Sequence, residues 1–277
     1  MSRSAASLKT KRSRRSRTAS PGAGLILCAC AGATGHADEA SELAQELANP
    51  LAAIISVPLQ LNYDDNLGLA DQGNRTTLNF QPVVPFALSD STNLITRTII
   101  PYVWQEDILP GTRQDGFGDI LFSAWFSPIG TGDVTWGVGP ALRFPTFSEV
   151  SSDTWAAGIT GIVLRQTGPW TVGMLANHLW DIETDPDVPT NATFVQPFVA
   201  FSTENAWTYS LQSESTYDWE NGAWSVPVNA AVSKLVMFGE LPVNLQAGLG
   251  YWLEAPDAGA EGVRFRLQAQ VVLPRRR

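Results

Sequence analysis

Residues 207–219 read WTYSLQSESTYDW, and this stretch decides the fold. Side chains on a β-strand alternate between two faces, so odd and even positions separate. The even positions are all polar, whereas the odd positions form a face that is aromatic at both ends: Trp207, Tyr209, Leu211, Ser213, Ser215, Tyr217 and Trp219. The stretch predicts a long strand with a hydrophilic face and an apolar face.

The same two-residue period recurs along the chain, most clearly over 76–88, 241–251 and 263–273. Twelve strands are predicted, over residues 53–63, 75–88, 92–105, 116–127, 133–145, 157–167, 169–181, 192–202, 206–219, 223–236, 240–254 and 262–273. The strands of a soluble β-sandwich with a solvent-exposed outer face also alternate between apolar and polar residues in this way. Strands in soluble domains most often have about 5–6 residues, however, so the predicted lengths favour a membrane barrel.

Aromatic residues near the predicted strand ends support the same architecture. Trp and Tyr prefer the headgroup level of a bilayer and form girdles around outer-membrane barrels. The girdle candidates are Trp104, Trp170, Trp180, Trp207, Trp219 and Trp252. We therefore predict an all-β protein, a 12-stranded antiparallel transmembrane β-barrel over residues 53–277, in contact with lipid and lipopolysaccharide of a Gram-negative outer membrane. Alternating long and short connections predict that both termini lie on the periplasmic side.

The first 37 residues differ in composition from the rest. They carry seven basic residues and no acidic one, followed by a short apolar stretch over 23–33 and the small-residue sequence Gly35-His36-Ala37. This order is typical of a cleaved secretory signal peptide. A lipoprotein signal acylated at Cys30 is the alternative reading. Both readings predict export through the N-terminal segment.

Residues 38–52 are predicted to form a short helix ahead of the barrel. Leu43 and Leu47 lie four residues apart, Ser41 can cap the helix, and Pro50 ends it. The helix would lie either in the periplasm or in the mouth of the barrel, and the sequence leaves both positions open.

Composition excludes several classes of function. The net charge of −9 disfavours nucleic acid as a partner, because phosphate binding depends on Lys and Arg. From Asp38 onward the chain has no cysteine and one histidine, so neither a cofactor nor a metal site is expected. His178 should face outward beside Trp180 without a nucleophile partner, and we predict no catalytic residue and no enzymatic activity.

Several segments, in the same order along the chain, carry a resemblance to a known family. They include Asn49-Pro50-Leu51, Gly116-Phe117-Gly118-Asp119, the stretch 166–170 (QTGPW) and the stretch 213–219 (SESTYDW). With these segments the chain resembles the outer-membrane transporter family named after the MetA-pathway of phenol degradation. The resemblance implies an outer-membrane barrel and a transport role, without a defined solute.

The inward face of the barrel holds the candidate site. The alternation predicts pore-lining side chains at Arg75, Arg97, Asp119, Arg143, Arg165, Glu214, Arg264 and Arg266, whereas most acids, Asp64 among them, fall in predicted loops. An arginine-rich wall favours anionic solutes. The same side chains could instead brace the lumen as Arg–carboxylate pairs, with Glu42 and Glu46 of the helix adding to a plug. The expected function is passive passage of small anionic or aromatic molecules; the alternative is a non-conducting structural or surface-interaction barrel.

Overall fold

The computed structural model describes residues 33–130, 132–183 and 189–273, and the side chains from residue 39 onward. Most of the predicted signal peptide lies outside this part of the chain. The elements are α1 (Ala33–Leu47), β1 (Ile55–Leu67), β2 (Gly73–Phe80), β3 (Val83–Ser89), β4 (Thr92–Glu106), β5 (Arg113–Phe117), β6 (Ile120–Pro128), β7 (Val134–Phe144), β8 (Ala156–Thr167), β9 (Trp170–Asp181), β10 (Asn191–Ser202), β11 (Trp207–Ser213), β12 (Ser215–Asp218), β13 (Ala223–Phe238), β14 (Leu241–Glu254) and β15 (Gly262–Leu273).

The strands form one closed antiparallel barrel. Neighbours in sequence pair with each other, and the last strand returns to the first, with Ile55 opposite Leu273 in the β1–β15 ladder. The fifteen segments make twelve wall strands, because β2 with β3, β5 with β6, and β11 with β12 each continue one another along the wall. The predicted 12-stranded antiparallel β-barrel with a short N-terminal helix is confirmed.

Each of the three interruptions lies at or opposite a proline. The amide of Gln81, next to Pro82, donates to Pro58 O at 2.9 Å; that of Gly118 donates to Pro101 O at 3.0 Å, and that of Glu214 to Pro227 O at 3.2 Å. Proline has no N–H to return the second ladder bond, so regular pairing stops at these points while the wall continues.

The two faces of the wall separate as the alternation predicts. The outer face carries many large apolar side chains exposed to the surroundings of the barrel, such as Leu249, Phe265 and Leu267. The inner face carries amides, hydroxyls, arginines and carboxylates. A lipid-facing exterior explains why so many hydrophobic side chains remain uncovered by protein.

A charge placed on the outer face at mid-strand is expected to prevent stable insertion. Leu267 lies near the centre of β15 and is 58% exposed, and arginine at such a depth costs about 2–4 kcal/mol. Leu267→Arg should therefore lower the folded fraction in lipid vesicles, measured by heat-modifiable gel mobility and urea unfolding. The matched control is Gln268→Arg, one residue along, whose side chain points into the lumen. Equal loss of folding in both variants would contradict the assignment of the two faces.

Helix α1 lies at the barrel end that carries the short connections. Its apolar stripe of Ala40, Leu43, Ala44 and Leu47 packs on Ala206 and Leu235. Polar contacts fix it further: Gln166 Nε2 donates to Gln45 O at 3.0 Å, and Gln45 Nε2 donates to the carbonyl of Gly168. The helix therefore occupies the mouth of the barrel, the second of the two predicted positions.

The start of α1 differs from the prediction. The helix begins at Ala33 rather than near Ser41, and it ends at Leu47, ahead of Pro50 as predicted. The predicted boundary between signal and helix at residue 37 thus falls inside a helical segment. Within the described residues no helix is long and apolar enough to span a membrane.

Candidate functional site

A cavity of about 660 Å³ occupies the barrel interior on the side of the long connections. Two smaller cavities, of about 180 and 200 Å³, adjoin the end of α1. The lining of the main cavity comes from inward positions of strands all around the barrel. Four arginines and two carboxylates contribute to it, which gives a formal charge of +2: Arg97, Arg143, Arg264, Arg266, Asp64 and Glu214.

Asp64 and Arg264 form a buried pair on neighbouring strands β1 and β15. Arg264 Nε and Nη2 donate to the two carboxylate oxygens at 2.7 and 2.9 Å. Trp252 Nε1 donates to the same carboxylate at 2.8 Å, and the Arg264 guanidinium lies 4.5 Å from the centre of the Trp252 ring. Bidentate and stacking contacts together hold the guanidinium in one orientation.

Glu214 binds a second arginine, Arg266, past the two wall strands β13 and β14 that separate them. Arg266 Nη1 and Nη2 donate to its carboxylate at 3.0 and 2.6 Å, and Arg266 Nε donates to Asn62 Oδ1 at 2.7 Å. Arg264 Nη1 lies 3.5 Å from the same carboxylate. The two arginines and two acids thus form one compact network in which each charge is paired.

A glycine on β14, beside this network, leaves room for a side chain of the neighbouring strand β13. Gly250 lies opposite Arg264 in the ladder, and a Cβ at this position would collide with Oδ1 of Asn229. The absence of a side chain at Gly250 therefore lets the Asn229 side chain lie against β14.

Arg97 differs from the other arginines of the cavity. Among the described residues, no carboxylate lies within 4 Å of its guanidinium, and its Nε is buried without a hydrogen-bond partner. Its guanidinium carbon lies 5.4 Å from the centre of the Trp125 ring, and Glu214 attracts it from beyond ion-pair distance. Arg97 and Gln268 are the two side chains that line all three cavities.

An uncharged polar belt lies at the level of Gln268. The ladders place Asn79, Gln60, Gln268, Gln246 and Ser233 directly opposite one another on five consecutive wall strands. Amides and hydroxyls both donate and accept hydrogen bonds. The belt therefore presents an uncharged surface to which hydrated or hydroxylated molecules can form hydrogen bonds.

The opposite side of the lumen is apolar and closed. Leu51, which follows the helix, packs with Trp125 and with Ile95, Ile162, Leu164 and Leu175 from the wall. Trp125 Nε1 donates to Thr160 Oγ1 at 3.1 Å, so the indole is fully buried yet satisfied. The N-terminal segment thus fills part of the interior through apolar contacts. Glu42 and Glu46 are exposed and make no ion pair with the lumen arginines, contrary to the expectation that they add to a plug.

Arg75, Arg143 and Asp119 also lie on the inner side, near the long connections. Arg75 Nε donates to Gln105 Oε1 at 2.9 Å. Arg143 Nε lies 3.6 Å from Asp119 Oδ2. Asp119 accepts hydrogen bonds from Ser151 Oγ at 2.6 Å and from the amide of Ser152, so it mainly fixes a long connection. Asp119 and Arg75 do not contribute to the lining of the main cavity.

The predicted inward placement of Arg165 is wrong. Its side chain is 60% exposed, and its Nη2 lies 3.0 Å from Asp133 Oδ2 beside a short connection. On β8 the even positions, Thr160, Ile162 and Leu164, are the buried inner ones. Arg165 is therefore on the outer face.

The girdle candidates divide in the same way. Trp104, Trp170, Trp180, Trp207 and Trp219 are exposed on the outer face near strand ends, where a girdle is expected. The prediction for Trp252 is wrong, because β14 turns its even positions inward and this indole binds Asp64. Membrane contact of the outer five remains a prediction.

His178 faces outward beside Trp180, as the alternation predicts, with the ring centres 4.1 Å apart. Its Nδ1 lies 2.7 Å from Thr193 Oγ1, which also accepts from Trp219 Nε1 at 2.8 Å. Its Nε2 has no partner among the described residues, whereas a catalytic histidine is usually oriented by a carboxylate.

The sequence missed three parts of this site. Asp64 was assigned to a loop because β1 was expected to end at residue 63, whereas the strand runs to Leu67. Trp125 and Leu51 form the closed side of the lumen, and the belt of amides lines the open side. The alternation of β1, β14 and β15 already put the belt glutamines on the inner face, so that signal was available.

Comparison with solved structures places the fold among outer-membrane barrels. An outer-membrane channel from Pseudomonas putida F1 superposes with a TM-score of 0.65 at 14% identity, covering 80% of this chain and 97% of that one. The NanC porin gives a TM-score of 0.50 at 9% identity, with 80% and 100% coverage. The CymD monoaromatic hydrocarbon channel gives 0.47 at 7% identity, with 88% and 94% coverage.

Comparison of the sequence with protein-family models and with curated proteins gives no match. At such low identity the structural likeness defines the fold alone. The chain has the closed antiparallel fold of outer-membrane barrels, with a polar, arginine-bearing lumen.

Proposed function

We propose that the protein is a passive channel for small hydrophilic solutes across the outer membrane, with a preference for anions. The observation that carries the proposal is the main cavity, about 660 Å³ of polar-lined space inside a closed barrel. Its formal charge of +2 attracts anions and repels cations. Barrels that use energised uptake have about 22 strands, so a 12-stranded wall fits diffusion.

The second candidate is a barrel that does not conduct. It is favoured by α1 in the mouth and by the apolar packing of Leu51 on Trp125, which together reduce the free cross-section at the level of Arg97. For such a barrel, the only role of the arginine–carboxylate network would be to stabilise the barrel wall. The two candidates differ in whether solute passes beside residues 47–51.

Planar-bilayer recordings of the refolded full-length protein distinguish them. A channel gives discrete current steps, with a reversal potential in a KCl gradient that shows chloride preference. Leu51→Ala removes most of the side chain that closes one side of the lumen, so we expect larger or more frequent steps. Leu59→Ala, an exposed outward position on β1, is the control and should behave as wild type. Absence of current in the wild type and in Leu51→Ala would reject the channel.

A further inference from the structure

We infer that the lumen contains a binding site for a hydroxylated monocarboxylate, a sugar acid, with Arg97 as the carboxylate ligand and the polar belt as the hydroxyl ligand. The inference deepens the proposed function and rests on it, because it names the class of solute that the channel would take. Its basis is the contrast between Arg97 and the other three arginines that line the main cavity.

The charge of Arg97 is the one that a solute can use. Arg264 and Arg266 are held by Asp64 and Glu214, and Arg143 lies 3.6 Å from Asp119. A solute carboxylate would have to displace these internal partners to bind there. Arg97 has no such partner to lose, its Nε is unsatisfied, and it lines the main cavity. A single solute carboxylate at this point would supply the charge partner that the Arg97 guanidinium lacks.

The surroundings of Arg97 select the rest of the solute. Gln196, Gln212, Gln246 and Gln268 line both the main cavity and one of the smaller ones together with Arg97. Hydroxyl groups can satisfy such amides in both directions, as donors and as acceptors. Gln196 Nε2 donates to Gln212 Oε1 at 3.1 Å, and Gln212 Nε2 donates to Glu214 Oε1 at 3.0 Å, so these two amides already have protein partners. An apolar ring packed against Gln246 and Gln268 would leave their amides without partners from the solute, which costs about 1–3 kcal/mol for each group. The amide-rich wall therefore favours a polyol body over an aromatic one.

The location gives the site a role in passage. Arg97 and Gln268 stand where the main cavity meets the two smaller cavities beside residues 47–50. The main cavity falls within the range of about 300–1,000 Å³ that is usual for small-molecule sites. A solute bound at this junction would be at the narrow point of the path through the lumen. The polar belt would lie on one side of it and the Leu51–Trp125 cluster on the other.

Isothermal titration calorimetry on the detergent-solubilised full chain tests the inference with three probes. Glucuronate carries a carboxylate and hydroxyls, glucose carries hydroxyls alone, and benzoate carries a carboxylate on an aromatic ring. We expect saturable binding of glucuronate, with glucose and benzoate at least tenfold weaker. Benzoate binding as tight as glucuronate, or no glucuronate binding, would overturn the inference.

Variants locate the binding. Arg97→Gln should weaken glucuronate binding at least tenfold, whereas Arg165→Gln, an equal change of charge on the outer face, should leave it unchanged. Unchanged binding in Arg97→Gln would overturn the assignment. If Arg97→Gln does not fold, Gln246→Leu is used instead. This variant should weaken the binding of glucuronate more than the binding of benzoate. Equal weakening of the two would contradict the polyol site.

Conductance separates this inference from the proposed function. Glucuronate should reduce the KCl current through the open channel in a saturable manner. Current without such a block and without calorimetric binding would reject the sugar-acid site and retain the channel. Calorimetric binding without current would retain the site and reject the channel.

Discussion

Replacing Arg97 with glutamate is expected to abolish the anion preference proposed for the lumen, because the formal charge of the main-cavity lining falls from +2 to zero. The substitution changes the local charge by two units at the junction of the three cavities. One unit charge changes the energy of an ion 4 Å away by about 1 kcal/mol even at the dielectric constant of water. Two units correspond to about 2 kcal/mol, so the chloride-to-potassium permeability ratio should fall more than tenfold. The reversal potential in a KCl gradient measures this permeability ratio.

The matched control for this prediction is Arg165→Glu. The change in charge is the same, but Arg165 lies on the outer face, where its side chain is 60% exposed. Its permeability ratio should stay within about twofold of wild type, since exposed charges are screened by salt. Arg97→Glu with wild-type selectivity would mean that ions do not pass Arg97, and the path proposed above would be wrong.

Removing Arg266 is expected to destabilise the barrel by about 3 kcal/mol. Its side chain is 4% exposed, and it forms two hydrogen bonds with Glu214 and one with Asn62. Breaking a buried pair by removing one partner commonly costs about 3–5 kcal/mol, because the other charge is left without compensation. Glu214 would keep its contact with Arg264 at 3.5 Å, which places Arg266→Met at the lower end of that range. Urea unfolding in lipid vesicles measures the free energy of unfolding.

A double-mutant cycle tests whether pairing is the cause. Arg266→Met combined with Glu214→Gln should be less destabilised than the sum of the single variants, because the double variant leaves no uncompensated charge in this pair. The exposed pair Arg113–Glu106 gives the comparison: its side chains are 75% and 44% exposed, and Arg113→Met should cost about 1 kcal/mol or less. Strict additivity of the Arg266 and Glu214 variants would show that packing, rather than pairing, accounts for the loss.

The sequence predicted the wall more accurately than the lumen. All twelve predicted strands correspond to wall strands, because the two-residue period is a local property that needs no partner. Strand ends were less certain. The expected end of β1 at residue 63 kept Asp64 out of the candidate site, and the phase of β8 placed Arg165 on the wrong face. Both errors arise at strand ends, where polar residues continue without a marked change of pattern.

The role of each arginine could not be predicted from the sequence. Asp64 and Arg264 are 200 residues apart, and they meet because the barrel closes with β15 against β1 in a fixed register. Glu214 reaches Arg266 past the two intervening strands β13 and β14, and this contact also depends on the register between strands. In the sequence, Arg97 cannot be told apart from the other inward arginines. Its lack of an ion pair becomes visible only when the positions of the inward carboxylates in the folded barrel are known.

By itself, the amino-acid sequence determined the alternation of an outer and an inner face along the strands, with Arg165 and Trp252 as exceptions, since that alternation depends on adjacent residues in one strand. Tertiary structure alone decided which interior charges neutralise one another, which cation remains available at Arg97, and how far Leu51 and α1 narrow the lumen. The reason is physical: alternation is fixed by backbone geometry within a strand, whereas charge pairing and packing depend on register and closure among strands distant in the sequence.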